Sequence, residues 1–223
     1  MEANHLSIGM KAPDFSAVGT FGPVRMSDYK GKWLIFFSHP GDFTPVCTTE
    51  FIAFAQAAQK FTDLGTELLG LSIDSNPSHL AWIYAIYMTT GIRIPFPVIA
   101  DRTGDVARLY GMVAPDASTQ ETVRNVYFID PNQKIRAILV YPLTNGRSIP
   151  EILRLLEALQ LTDAQHLVTP ADWQPSQPAM VPPPQTYSGL LERQEDPAAQ
   201  GLSCKSWYQC YPTNQGGGKS APT

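Results

Sequence analysis

Between Phe15 and Leu161 five short apolar runs alternate with four longer stretches of helical spacing, the pattern of an α/β layer fold. The runs Trp33–Ser38, Glu67–Ile73, Phe96–Ala100, Arg124–Ile129 and Lys134–Tyr141 are rich in Val, Ile, Leu or aromatic residues, and most are bounded by turn formers. Pro45–Leu64, Ser78–Thr89, Gly104–Tyr110 and Ile149–Leu159 read as helices; in the last, Ile149, Ile152, Leu153, Leu156 and Leu159 recur on one face. The segment "IDPNQK" puts Asp-Pro-Asn turn chemistry between two strands and predicts a hairpin, so the expected core is a mixed sheet flanked by helices.

The alternation stops after Thr162. "VTPADWQPSQPAMVPPPQ" concentrates prolines that end helices and cannot sit in central strands, so it predicts an extended segment lying along a surface. Residues 1–162 are therefore expected to form the core and 163–223 an arm. Trp173, Trp207, Tyr208 and Tyr211 are too much apolar area for a solvated tail, which points to docking on a second subunit; "NQGGGKSAPT" at the end reads as disorder.

The 223 residues are 43% hydrophobic and 16% charged, enough apolar content to bury a sizeable core. A net charge of −4, with basic residues scattered singly, leaves no footprint for nucleic acid or an anionic membrane. The start lacks a basic segment followed by a long apolar run, and Trp33–Phe37 is too short to span a bilayer, so a soluble, cytoplasmic protein is expected. Three cysteines, one far from the other two, make a poor disulfide framework; in a reducing compartment they read as inert, metal-bound or redox-active.

Cys47 lies in "HPGDFTPVCTTEF", where a strand hands over to a helix. Thr44 suits the helix N-cap and Pro45 the first helical position, which places Cys47 in the first turn. Backbone N–H groups and the helix dipole at that end favour a thiolate, the nucleophilic form. The same position would also suit a small buried hydrophobe.

"PGDFTPVCTTE" matches, through Pro40, Thr44 and Cys47, the P-x-x-x-T-x-x-C signature of peroxiredoxins, and "VRNVYFIDPNQKIRAILVYP" and "TNGRSIPEILRLLEALQLT" resemble the later strand pair and helix of that family. The chain is most similar to its long-armed, one-cysteine-like branch, including archaeal and bacterial thioredoxin peroxidases with two extra C-terminal cysteines. The resemblance implies a thioredoxin-like fold and the reduction of hydrogen peroxide and organic hydroperoxides, with neither metal nor cofactor. It also implies that Arg124 is the active-site arginine, that Arg147 is a second arginine near the site, and that His39 stands where this branch has histidine. For each the plain alternative is a surface charge or a structural histidine. Glu50 would hold an arginine in place or simply complement the helix dipole. Thr44 would orient the thiolate and hydrogen-bond the peroxide, and Pro40 would wall the pocket.

In such a mechanism the sulfenic acid on Cys47 must be trapped by a second thiol before further oxidation. "SCKSWYQCYP" offers Cys204 and Cys210, which lack a second close pair for zinc, while the histidines are dispersed. The expectation is capture of oxidised Cys47 by Cys210 of the partner subunit, followed by a Cys204–Cys210 disulfide; first attack by Cys204 is the alternative. By resemblance, a thioredoxin- or glutaredoxin-like protein supplies electrons, and the chain forms a homodimer or a decamer, a pentamer of dimers. Three other functions fit the sequence less well. Thiol–disulfide exchange lacks its C-x-x-C; a serine lipid hydrolase of the kind found in animal members would need a serine and a histidine where Lys32 and Met26 stand; and a holdase chaperone requires a large ring.

Overall fold

The computed structural model describes residues 6–114, 116, 118 and 121–214. The chain divides into two compact units, Met1–Ile149 and Pro150–Thr223.

The first unit runs β1 (Ser16–Gly19), β2 (Gly22–Arg25), a 3-10 turn (Met26–Tyr29), β3 (Trp33–Ser38), α1 (Pro45–Asp63), β4 (Thr66–Ser72), α2 (Asn76–Thr90), β5 (Val98–Ala100), α3 (Asp105–Leu109), β6 (Arg124–Ile129) and β7 (Ile135–Tyr141). Seven strands form one sheet in the order β2-β1-β5-β4-β3-β6-β7. β3 pairs parallel to β4 and antiparallel to β6, β4 pairs parallel to β5, and β6 and β7 form the hairpin that "IDPNQK" predicts. The sheet is mixed, as its sequence pattern requires.

Every residue of β3 is buried, because both faces of this central strand are covered. Alternate side chains serve opposite faces. Phe37 stacks on Phe54 of α1 with ring centroids 4.3 Å apart and meets Phe51 and Phe96 edge-on. Phe36, on the other face, joins Leu34, Tyr110, Tyr127 and Ile129 in a second cluster.

The expected elements differ from the observed ones mainly at their ends. β5 starts at Val98 instead of Phe96, because Pro95 and Pro97 have no N–H to offer a ladder. α2 begins two residues before the expected Ser78: Ser75 caps it by accepting from the Ser78 N–H, and Pro77 is accommodated in the first turn. β1 and β2 are too short and too polar to register as apolar runs.

The second unit holds α4 (Ile149–Gln165), α5 (Tyr187–Glu195), a 3-10 turn (Ala198–Gln200), β8 (Leu202–Ser206) and β9 (Gln209–Pro212). The expected boundary at 162/163 falls inside α4. The proline-rich stretch from 166 to 186 carries turns and one isolated bridge, Val168 to Met180, but the arm is not extended throughout. Thr186 caps α5 by accepting from the Gly189 N–H, and β8 and β9 close an antiparallel hairpin in which Cys204 lies opposite Cys210. Trp173 is buried and donates from Nε1 to the Gln177 carbonyl, whereas Tyr208 is exposed. The segment read as disordered lies outside the described residues, apart from Asn214. No helix among the described residues is long and apolar enough to cross a membrane.

Candidate active site

β3 ends at Ser38, and His39 to Thr44 form the loop that delivers the chain into α1. The His39 N–H donates to the Leu71 carbonyl at 2.9 Å, and the Thr122 hydroxyl donates to the His39 carbonyl at 2.6 Å, so the loop leaves the sheet from a fixed point. Thr44 occupies the N-cap with extended backbone and Pro45 the first helical position. The Thr44 side chain does not cap the helix; its hydroxyl donates to the Gly41 carbonyl at 2.9 Å, which leaves the oxygen lone pairs as acceptors. Pro40 is buried.

Cys47 sits in the first turn of α1, fully buried and unbonded to another cysteine. Among the described residues its sulfur has one hydrogen-bond partner, Arg124 Nη1 at 3.3 Å. The Arg124 guanidinium is held from two directions: Nη1 also donates to Glu50 Oε2 at 2.6 Å, while Nε and Nη2 donate to the Leu143 carbonyl at 3.2 and 2.8 Å. Arg147 closes the set from the far side of Glu50. Its backbone N–H and Nε reach Oε1 at 2.8 and 2.9 Å, and Nη2 reaches Oε2 at 2.8 Å. Arg147 Nη1 donates to the Ser38 carbonyl, and its guanidinium lies over the Phe37 ring, 5.0 Å from the centroid.

Burial alone would raise the Glu50 pKa, but Arg147, through its charge and three hydrogen bonds, and then Arg124 hold the carboxyl below its ordinary range. Burial pushes the Arg147 guanidinium down against the pull of Glu50. Two guanidiniums against one carboxylate leave one uncompensated positive charge, and the group it faces is the Cys47 sulfur. Sequence reasoning assigned Glu50 one arginine; the structure gives it two.

The structure also assembles a cluster that sequence reasoning missed. His39 Nε2 lies 3.2 Å from Asp42 Oδ1, and His79, from α2, places Nδ1 2.9 Å from both Asp42 oxygens. The histidines are 40 residues apart in sequence, so their meeting is not visible in local spacing. Their donor atoms and the Asp42 carboxylate lie within 4.8 Å of one another, the geometry nearest to a metal set among the described residues, yet every contact stands at hydrogen-bond distance. Burial pushes the His39 imidazole below its usual range despite Asp42. For Asp42 burial acts upwards, and the histidine hydrogen bonds outweigh it, so the carboxyl stays well below ordinary values.

Cys204 and Cys210 are joined to each other as a cross-strand disulfide. At the positions where a lipid hydrolase would carry serine and histidine, Lys32 is an exposed surface residue paired with Glu67 at 2.7 Å, and Met26 is a buried core residue.

A helix-start cysteine under an arginine pinned by a buried glutamate, on this sheet, invites comparison with known proteins. The profile described as the AhpC/TSA family matches residues 8–138, and that of the C-terminal domain of 1-Cys peroxiredoxin matches residues 158–196. The chain belongs to the peroxiredoxins. It is 53% identical over 204 residues to Peroxiredoxin 2 of Caldanaerobacter subterraneus subsp. tengcongensis, covering 92% of this chain and 91% of that one. It is 50% identical over 201 residues to Peroxiredoxin 2 of Thermoplasma acidophilum, covering 90% and 98%. Among solved structures, a cysteine-to-serine mutant of Peroxiredoxin 6 of Arenicola marina superposes with a TM-score of 0.83 at 34% identity, covering 93% of this chain and 98% of that one. A yeast mitochondrial 1-Cys peroxiredoxin, whose thiol resolving mechanism is described as running via glutathione/thioredoxin systems, does so at 0.81 and 38%, covering 93% and 99%. This peroxiredoxin is a thiol peroxidase with a thioredoxin-like fold.

Proposed function

We propose that this peroxiredoxin reduces hydrogen peroxide and organic hydroperoxides at Cys47, with Arg124, Thr44 and Pro40 completing the site. The observation that carries the reading is Arg124 Nη1 at 3.3 Å from the sulfur, in a guanidinium that Glu50 and the Leu143 carbonyl prevent from turning away. The Cys47 thiolate attacks the terminal peroxide oxygen; the S–O bond forms, the O–O bond breaks, and sulfur gives up two electrons as the second oxygen leaves as alkoxide or hydroxide. Arg124 faces the charge at its start on sulfur and donates to it as it moves to the leaving oxygen, which then takes a proton to become alcohol or water. The Thr44 oxygen accepts from the peroxide O–H and fixes its approach. His39 and Arg147 support the site, Arg147 through Glu50.

The Cys210 thiol of the partner subunit attacks the sulfenic sulfur, the S–S bond forming as the S–O bond breaks and water leaves; Cys204 then attacks Cys210, releasing Cys47 as thiolate and forming the Cys204–Cys210 disulfide, which a thioredoxin- or glutaredoxin-like dithiol reduces. The facing register of Cys204 and Cys210 in the hairpin supports the last step. A homodimer suffices for this cycle, and assembly of five dimers is compatible with it. The cycle suits antioxidant defence in the cytoplasm, where thiol reductants are maintained.

The test is the loss of a sub-stoichiometric dose of hydrogen peroxide on mixing with fully reduced protein. The parent should consume it rapidly, and Cys47→Ser should not. Equal survival of peroxide with both proteins would reject the reading.

A further inference from the structure

His79 plays no part in the chemistry above, yet both of its ring nitrogens face oxygen atoms. Nε2 faces the Ile99 carbonyl at 3.1 Å, and Nδ1 faces both Asp42 carboxylate oxygens at 2.9 Å. A carbonyl accepts only, and an ionised carboxylate accepts only, so both contacts are hydrogen bonds only when each ring nitrogen carries a proton. A neutral imidazole has one N–H and would set a lone pair against an oxygen in a side chain wholly removed from water. His39 differs. Its Nε2 meets Asp42, and its Nδ1 has no partner among the described residues, so one proton suffices there.

We propose that His79 is a buried imidazolium that clamps Asp42 and so acts as a positioning residue for the β3–α1 loop, on which Pro40 and Thr44 are carried to Cys47. Asp42 lies midway along that loop. Its side chain is tied to α2 through His79, and its backbone N–H donates to Asp74 Oδ2 at 3.0 Å. Phe43, next in the chain, has φ +55°, a left-handed conformation that a bulky residue rarely adopts. Thr44 follows, with its hydroxyl on the Gly41 carbonyl. A loop holding an unfavourable residue keeps one shape only when its neighbours are fixed, and the Asp42–His79 pair fixes one side of Phe43. The groups around His79 are the Asp42 carboxylate from the loop, the Ile99 carbonyl from β5 and the His39 ring, 5.9 Å away between centroids; Asp74 stands behind the Asp42 N–H. One carboxylate in contact with one imidazolium leaves this pair electrically neutral.

The functional half of the proposal rests on the peroxidase reading, whereas the protonation half does not. Neutron diffraction from deuterium-exchanged crystals of the full chain should show deuterium on both ring nitrogens of His79 and on Nε2 alone of His39. A singly deuterated His79 overturns the proposal, as does a metal ion bound between His79 Nδ1 and Asp42 in place of the proton. In Asp42→Asn the amide can donate to Nδ1, so His79 should drop to one deuterium; retention of two would overturn the charge pairing. His79→Gln keeps a donor for Asp42 without the charge, and it should lower the second-order rate of peroxide reduction about 10- to 100-fold with Cys47 still titratable as a thiol. Asp42→Asn should slow the same step if His79→Gln does not fold. An unchanged rate in a folded variant overturns the positioning role, and failure of the parent to consume peroxide would count against the peroxidase reading while leaving the neutron result to stand alone.

Discussion

Glu50 gives both carboxylate oxygens to two arginines, so its loss would leave two guanidiniums facing each other out of water. Glu50→Gln is expected to lower unfolding stability by about 3–5 kcal/mol, read from denaturant titration at neutral pH. Because the folded-state pKa of Glu50 is lowered, its stabilising effect is fully present above the ordinary carboxylate value of 4.5 and is lost as pH falls through the lower folded value. Denaturation midpoints of the parent should therefore fall more steeply with acid than those of Glu50→Gln. Arg124 has the complementary role. It reaches Cys47, Glu50 and Leu143 at once through three nitrogens, and a lysine ammonium cannot copy that planar fork. Arg124→Lys should keep the fold and cost about 10²-fold in the second-order rate with peroxide, measured by stopped flow.

At the scale of elements, the site depends on how α1 is seated against β3. Phe54 stacks on Phe37 and also contacts Phe61 and Phe96, all buried. Phe54→Ala should cost about 3–5 kcal/mol, visible in chemical denaturation, because these surrounding rings cannot collapse fully into the space left. The sequence signals for these elements were strong where physics is local. Trp33–Ser38 and Arg124–Ile129 are observed with the bounds their apolar runs predict, because a buried strand must be apolar along its length. The hairpin of β8 and β9 lacked such a signal. Its residues "LSCKS" and "QCYP" are mixed in polarity, and its pairing was visible only once the chain had turned.

At the scale of the whole molecule, electrons must return to the oxidised Cys47. The sulfur is fully buried, so a thiol from elsewhere reaches it only after the structure covering it moves aside. The proposed path is tested by peroxide treatment of single variants followed by non-reducing electrophoresis. Cys204→Ser should accumulate a dimer-sized disulfide between Cys47 and Cys210, whereas Cys210→Ser should not form one. A normal intersubunit bond to Cys47 in Cys210→Ser would reverse the assignment of the two thiols.

What the sequence determined by itself was whatever depends on nearest neighbours along the chain. The proline at the first helical position and the cysteine in the same turn are specified by local backbone chemistry, and the P-x-x-x-T-x-x-C spacing carried the family. Only the tertiary structure decided which distant charges meet. Arg124 and Arg147 lie 74 and 97 residues from Glu50, and His79 lies 37 from Asp42. No local pattern distinguishes these residues from surface charges or core histidines. Their pairing follows from burial, since a charged group removed from water must find an opposite charge or hydrogen-bond partner, and only the folded sheet brings those partners within reach.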